Sequence, residues 1–339
     1  MIEIWKRTEL DRLMRAHGFH YSKARGQNFL VDRNVLDKVV EAAELTAADN
    51  VVEPGPGAGA LTVLLAQAAG RVTAVEIDGR LIPILREVTE GLANVDIVHD
   101  DFLKFRPSLQ SWAAEAIASA HHCEEPQPST QSLGAEAIAS PCHCEEPQPS
   151  TMMRRSNPEG TKKPENLTMP YKLVGNLPYY ITTPIIAGMF EPGPDGKRPA
   201  PPELAVFMVQ KEVAERLMSP PGKKTYGAIS VLVQYYAEIE LLFPVSREVF
   251  APRPNVDSAV IRLRPRDLSG DDAETAARMF RLVRAGFDMR RKTLRNSLAS
   301  AGFPAEALAA ALEQAGVDPS HRAETLGPRD FYALAACLP

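Results

Sequence analysis

Three short segments carry residue types that do chemistry once a fold brings them together. Val51-Val-Glu-Pro-Gly-Pro-Gly-Ala-Gly59 reads as a strand, a glycine-rich turn and the start of a helix. Glycines in such a turn let the backbone approach a ligand closely and take positive φ. The spacing is G-x-G-x-G after an acid, not the G-x-G-x-x-G of a dinucleotide site, and no Lys-Ser or Lys-Thr pair follows as a phosphate loop requires. Both departures point away from phosphate as the ligand. Glu76 ends the next strand, where a carboxylate can accept hydrogen bonds from two ribose hydroxyls, and Asp100-Asp101 ends a third, placed for an adenine edge. Together they fit an adenosine-containing ligand at the carboxyl ends of strands. Taken alone, the loop also fits a tight turn flanked by solvated acids.

The second segment is Gly175-Asn-Leu-Pro-Tyr-Tyr180. A proline two residues after Asn at the end of a buried strand stops the ladder and turns carbonyls outward. The chemistry that needs this is attack by an aromatic exocyclic amine, a weak nucleophile because its lone pair is delocalised into the ring. The side-chain oxygen of Asn176 and the backbone carbonyl of Leu177 or of Pro178 can accept the two N–H bonds and favour the pyramidal, nucleophilic form. Tyr179 can stack on a base taken out of its helix. The third segment, 278–295, gathers Arg278, Arg281, Arg284, Arg290, Arg291, Lys292 and Arg295 against Asp288 alone, a net +6 in 18 residues. Positions 281, 284, 291 and 295 recur at helical spacing, so several are expected on one face that binds phosphates in a salt-dependent way. A solvated face is the plainer reading of such a run.

The elements that must hold these segments alternate. Strands are expected at 50–53, 71–77, 95–99, 171–175 and 203–209, helices at 58–69 and 80–92, and two longer strands at 229–243 and 258–263. That pattern implies a parallel or mixed sheet covered on both faces. From about 271 the strand signals stop, and helices are expected at 273–288, 290–301, 304–315 and 328–337. The expected organisation is an α/β domain over 1–268 and a small all-helical domain over 269–339.

One stretch interrupts this order. Residues 114–130 and 135–151 repeat at an offset of 21, with 15 of 17 positions identical, too few copies for a solenoid. The surroundings, 107–168, are rich in Pro, Ser, Glu, Gln and Ala and read as a disordered insertion whose removal leaves the chemistry intact. His121-His-Cys123 and Cys142-His-Cys144 within it lack C-x-x-C or H-x-x-x-H spacing, so no metal is expected. The insertion holds eight Glu against four Lys or Arg, which is −4 of the chain's net −5. The remainder is near neutral but polarised, with residues 1–33 at +3. An acidic total therefore does not exclude a nucleic-acid partner. No run of 18 apolar residues is present, the N-terminus has no apolar h-region, and four cysteines make no disulfide framework. A cytoplasmic protein, away from membranes and monomeric, is expected.

Gln27-Asn-Phe-Leu30, Glu53-Pro-Gly-Pro-Gly-Ala-Gly59, Glu76-Ile-Asp78, Asp101 and Asn176-Leu-Pro-Tyr179 fall in the order of a known family. The chain resembles the S-adenosylmethionine-dependent rRNA adenine N6-dimethyltransferases, most nearly the small-subunit branch whose loss gives kasugamycin resistance. Phe250-Ala-Pro-Arg-Pro-Asn-Val-Asp-Ser258 and Arg290-Arg-Lys-Thr-Leu-Arg-Asn-Ser297 extend the likeness to nearly the whole chain outside the first 20 or so residues and the insertion. The resemblance implies a Rossmann-like class I methyltransferase fold with a mixed seven-stranded sheet. It implies that Asn28, Leu30, Gly55 and Gly57 line the cofactor, that Glu76 holds the ribose and Asp101 the adenine, and that Asn176 and Pro178 present the target amine. Phe250 would sandwich the flipped adenine opposite Tyr179, and Arg284, Arg290, Arg291, Lys292 and Arg295 would meet RNA. The implied reaction places two methyl groups on each of two adjacent adenosines in a hairpin near the 3′ end of 16S rRNA, within the 30S particle or its precursor. The competing readings are a large-subunit rRNA adenine methyltransferase, a non-catalytic assembly factor of the same fold, and a nicotinamide dehydrogenase. The last is poor, because no plausible hydride-relay histidine accompanies the loop.

Overall fold

A computed structural model of the chain describes residues 2–21, 27–105, 170–190 and 201–338. The insertion at 107–168, with its repeat and its His and Cys residues, lies outside the described residues. The N-terminal part comprises α1 (Arg7–Ala16), the two-residue β1 (Phe29–Leu30) and α2 (Arg33–Ala42), where no element was expected from sequence. Asp32 starts α2 by accepting from the Val35 amide at 3.1 Å. There follow β2 (Asn50–Pro54), α3 (Ala60–Ala68), β3 (Arg71–Glu76), α4 (Ile82–Val88), β4 (Val95–His99) and the short α5 (Phe102–Phe105). After the undescribed stretch come β5 (Lys172–Asn176), α6 (Thr182–Gly188), β6 (Leu204–Gln210), α7 (Lys211–Leu217), α8 (Ala228–Tyr236), β7 (Ala237–Val245), β8 (Phe250–Ala251) and β9 (Ser258–Pro265). The last stretch is helical: α9 (Ala273–Asp288), α10 (Leu294–Ser300), α11 (Ala305–Gln314) and α12 (Pro328–Ala336).

Seven strands form one sheet in the order β4-β3-β2-β5-β6-β9-β7. The first five are parallel; β9 and β7 close the edge antiparallel. Because β3 and β4 lie on one side of β2 and β5 and β6 on the other, the order reverses between β2 and β5. That is where an open sheet leaves a crevice at its strand carboxyl ends.

Alternation along the strands builds the two covering layers. Ala205, Phe207 and Val209 of β6 join one buried cluster, and Leu204, Val206 and Met208 join the other. The second cluster takes in α1, α2 and α3, of which α3 is buried from Leu61 to Ala66. The first continues without a gap into the C-terminal helices through Leu282, Leu298, Leu312 and Phe331. Burying each such side chain stabilises by about 1.5–3 kcal/mol, so the helical region is held to the sheet by packing rather than by a tether.

The expectation of one long strand over 229–243 is corrected. Residues 228–236 form α8 and only 237–245 form a strand. Ile229, Val231, Val233 and two tyrosines favour a strand by propensity, but the segment is buried between the sheet and the last helices. Ser230 closes its first turn, accepting from the Gly227 amide at 3.2 Å and donating to the Arg216 carbonyl at 2.6 Å. Burial all round erased the 3.6-residue signature that would have marked it as a helix.

Candidate active site

The crevice at the β2–β5 reversal is lined by the first two of the three segments the sequence singled out, and the basic run at 278–295 is not part of it. Its floor is the turn after β2. Gly55, Gly57 and Gly59 all take positive φ (66°, 61° and 89°). A Cβ on Gly57 would lie 3.1 Å from the Phe29 ring, and one on Gly55 would lie 3.4 Å from the Pro178 ring. Only glycine leaves this surface open without strain. Glu53, two residues before Gly55, is 1 % exposed, and its carboxyl accepts from the Thr62 hydroxyl at 2.6 Å. Burial, reinforced by the nearby Glu76 charge and opposed by the Thr62 bond, pushes its pKa up to about 8.

Glu76 ends β3 at 5 % exposure. One oxygen accepts from the Gly57 amide at 3.0 Å and the other from the Asp78 amide at 2.8 Å. Burial raises its pKa, and these two amide bonds oppose the rise. The carboxylate is thus fixed in orientation, with lone pairs left on both oxygens. Asp101 caps α5 by accepting from the Leu103 amide at 3.0 Å, and it too lines the crevice. Asp78 takes a two-point grip from Arg80 (2.9 and 2.6 Å) and accepts from Gln27 Nε2 at 2.8 Å. The Arg80 guanidinium in turn lies 4.9 Å from the Phe19 ring centre. These contacts bind the N-terminal segment to the β3 end.

That segment forms the near wall. Phe29 and Leu30 pair with Ala251 and Phe250 in an antiparallel ribbon, so Asn28 and Leu30 reach the crevice from a point far away in sequence. Asn176, at the end of β5, donates from Nδ2 to the Asn28 carbonyl at 3.3 Å. This contact fixes the amide so that Oδ1, which has no partner among the described residues, is the acceptor left to the crevice. The Pro178 carbonyl already accepts from the Ile181 amide (3.1 Å) and the Thr182 hydroxyl (3.0 Å). Of the two carbonyls considered from sequence, Leu177's is the one with no hydrogen bond from another described residue. Tyr179 is pinned by a 3.0 Å bond between its Oη and Ser258 Oγ, and burial raises its phenol pKa.

The geometry brings together Asn28, Leu30, Gly55, Gly57, Glu76, Asp101, Asn176, Pro178 and Tyr179, as the motif order required. Phe250 does not join them. It is 2 % exposed in the β1–β8 ribbon and lies outside the crevice lining. Glu53, Asp78 and Ser258 have structural parts here that no role had been assigned from sequence. All three stand inside the quoted motifs, and their burial was the missing signal.

The basic run behaves differently, and the expectation of a shared helical face is corrected. Helix α9 ends at Asp288 and α10 begins at Leu294, so 281 and 284 lie on one helix and 295 on another, with 291 in the turn between. Arg278 donates to the Ala335 (3.1 Å) and Leu338 carbonyls. Arg290 donates to the Lys224 and Tyr226 carbonyls at 3.0 Å each and pairs with Glu324 at 3.2 Å. Arg290 and Arg278 thus brace the helical region against neighbouring segments. Arg284 is half-buried; Arg281, Arg291, Lys292 and Arg295 are exposed. Among the described residues no group of His, Cys, Asp and Glu is arranged to hold a metal ion, and no helix is long and apolar enough to cross a membrane.

A profile described as ribosomal RNA adenine dimethylase matches residues 18–338. The chain is 40 % identical over 337 residues to ribosomal RNA small subunit methyltransferase A of Pelotomaculum thermopropionicum, covering 99 % of this chain and 97 % of the relative. It is 37 % identical to the protein of the same name from Listeria monocytogenes serotype 4a, covering 96 % and 93 %. Among solved structures it is similar to the 23S rRNA methyltransferase ErmE (TM-score 0.56, 27 % identity, 91 % of this chain and 99 % of that one). It also shares its fold with a dimethyladenosine transferase from Plasmodium falciparum (TM-score 0.60, 22 % identity, 90 % and 95 %). The sheet and its helices are those of a Rossmann-like class I methyltransferase, and the chain belongs to the ribosomal RNA adenine dimethylase family.

Proposed function

We propose that the protein uses S-adenosylmethionine to dimethylate N6 of two adjacent adenosines in a hairpin near the 3′ end of small-subunit (16S) rRNA, during assembly of the 30S particle in the cytoplasm. The observation that carries this reading is the fixed amide of Asn176. Its Nδ2 is spent on the Asn28 carbonyl, so Oδ1 accepts one N–H of an exocyclic amine and the Leu177 carbonyl accepts the other. Holding both N–H bonds in the crevice turns the nitrogen lone pair toward the cofactor side and favours a pyramidal amine. The group that donates the methyl supplies an electrophilic carbon on a sulfonium and leaves as a neutral thioether. No strong base is needed, because the alkylated nitrogen loses its proton readily to water. Tyr179, its hydroxyl tied to Ser258, stacks on the extruded base. In the described conformation Phe250 acts by anchoring Leu30, and it reaches a base only if the β1–β8 ribbon shifts.

The residues present fit the cofactor. The open floor at Gly55 and Gly57 admits a ligand backbone-close, Asn28 and Leu30 wall it, Glu76 accepts from ribose hydroxyls and Asp101 from the adenine amine. The buried carboxyls Glu53 and Glu76 suit a ligand carrying ammonium and sulfonium charge. Arg284 and the exposed Arg291, Lys292 and Arg295 serve as phosphate contacts in a C-terminal unit over 269–339, and Arg290, spent on the Lys224 and Tyr226 carbonyls, braces the surface that presents them. The names and 37–40 % identity of the bacterial relatives favour the small subunit over the large, and the complete Asn-Leu-Pro-Tyr turn favours catalysis over a pure assembly role.

The test is transfer of labelled methyl from S-adenosylmethionine to small subunits lacking the modification, with Asn176→Ala as control. Wild-type protein is expected to incorporate four methyl groups per particle, consistent with two adenosines. No incorporation into particles that a known dimethyltransferase accepts would sink the reading, as would preferential labelling of naked large-subunit RNA.

A further inference from the structure

The mouth of the crevice exposes two large apolar side chains. Ile77 and Tyr180 both line it, and they are 50 % and 49 % exposed. Large apolar groups left in water at the rim of a ligand cleft mark surface that a ligand covers. Ile77 follows Glu76 on the β3 side of β2, the side given to the cofactor. Tyr180 lies across β2, after β5, on the side given to the target amine.

Tyr180 is held at a defined place. The Ile181 amide bonds the Pro178 carbonyl at 3.1 Å, which makes residues 178–181 a hydrogen-bonded turn with Tyr179 and Tyr180 at its two corners. The Thr182 hydroxyl adds a second bond to the same carbonyl, and Ser258 holds Tyr179 inward. One corner ring is thus half-buried within the crevice while the other stands at its rim. Phe250, the other aromatic that the motif order nominates for base stacking, is buried away from the crevice.

We infer that Tyr180 is the platform for the nucleobase adjacent to the target adenine, so that Tyr179 and Tyr180 hold consecutive bases of the RNA strand. The inference rests on the rRNA-adenine reading above. Extruding one base strips its neighbour of a stacking partner, and an exposed ring at the rim replaces what is lost. Every base has a π-face, so Tyr180 sets the position of the strand rather than the identity of the base. A shift of one nucleotide moves the neighbouring base from Tyr180 to Tyr179, which presents both adjacent adenosines to one amine site in turn.

The test is steady-state methylation of small subunits reconstituted with normal rRNA or with rRNA abasic at the nucleotide beside the target. Tyr180→Ala is expected to lower kcat/KM on normal particles by about 5- to 150-fold, the range that stacking one base is worth. Tyr180→Phe and Tyr180→Trp are expected to stay within about threefold of wild type, and cofactor affinity by equilibrium dialysis to be unchanged in all three. The abasic substitution should impair the wild type but add nothing in Tyr180→Ala, because ring and base then share one lost contact. Fully additive losses, or a Tyr180→Ala enzyme as fast as wild type, overturn the inference. Asn176→Ala separates the levels: full activity there overturns the underlying reading, whereas its loss beside additive Tyr180 effects overturns the platform alone.

Discussion

The crevice and the basic run at 278–295 are both dense in ionisable groups, and they treat them in opposite ways. In the crevice Glu53, Glu76 and Asp78 are buried, each oriented by specific donors: the Thr62 hydroxyl, two backbone amides, and Arg80 with Gln27. In the basic run the side chains divide. Arg278 and Arg290 are spent on backbone carbonyls that join the helices to each other and to the 220–226 loop, while Arg291, Lys292 and Arg295 stay in water. Burial makes the first set sensitive to single atoms, because a misdirected polar group there loses its hydration without replacement. Solvation makes the second set a sum of small, screened contributions. The proposed chemistry therefore sits in a region where each residue has one place, and the proposed RNA contact in a region where charge matters more than place.

The contrast can be broken from either side. The largest effect is expected from Asn176→Ala, which removes the amine acceptor and the bond to Asn28 together. A fall in kcat of about 10²–10³-fold should be read in single-turnover assays, with cofactor affinity changed far less. If kcat holds, the crevice does not owe its function to that amide. Gly57→Ala comes next. It forces a Cβ to 3.1 Å from Phe29 at a positive φ, which costs about 1–2 kcal/mol. The melting temperature should drop, and binding of S-adenosylmethionine by dialysis should weaken by about tenfold, because Phe29 neighbours Asn28.

Smaller changes are expected from the basic run, and they should sort by contact. Arg291→Ala and Lys292→Ala should each reduce the salt slope of particle binding by about 0.7–0.9 without altering the melting temperature. Arg290→Ala should do the reverse, lowering the melting temperature by freeing the Lys224 and Tyr226 carbonyls and Glu324. Equal behaviour of Arg290 and Arg291 in both assays would erase the distinction drawn here. The last effect concerns Glu53, and it is read in stability alone. Its pKa is raised by burial to about 8 from 4.5, so the folded chain holds a proton that the unfolded chain has lost across that window. Stability from this group is therefore full at low pH, declines as pH rises from about 4.5 and levels off above about 8. Glu53→Gln should gain melting temperature relative to wild type between about pH 5 and pH 8, in calorimetry without cofactor.

Legibility followed the range of the interactions. The β2 loop, the β3 end and the Asn-Leu-Pro-Tyr turn were readable because their geometry is set within a few residues: glycines at positive φ, a proline that ends a strand, an acid one strand later. The helix over 228–236 was misread because its valines, isoleucine and tyrosines favour a strand, and only the layers packed around it decide otherwise. Phe250 was nominated by motif order, yet the pairing of Leu30 with Phe250 turns it into the core. The shared face of 281, 284, 291 and 295 failed because five residues between two helices break the period.

By itself the sequence determined which side chains are present and at what spacing, and that the glycine loop departs from the spacing of a phosphate loop. Those properties depend on atoms within one turn or one strand end, where backbone sterics leave few choices. The tertiary structure decided which of those groups are spent on partners and which face the crevice. It spent the amide of Asn176 on a carbonyl 148 residues away and left its oxygen to the crevice. It engaged the Pro178 carbonyl, buried Phe250, left Tyr180 at the rim, and tied the exposed Arg290 to the Lys224 and Tyr226 carbonyls. Each of these follows from satisfying a polar group or filling space against a distant segment, and no local pattern records which partner will arrive.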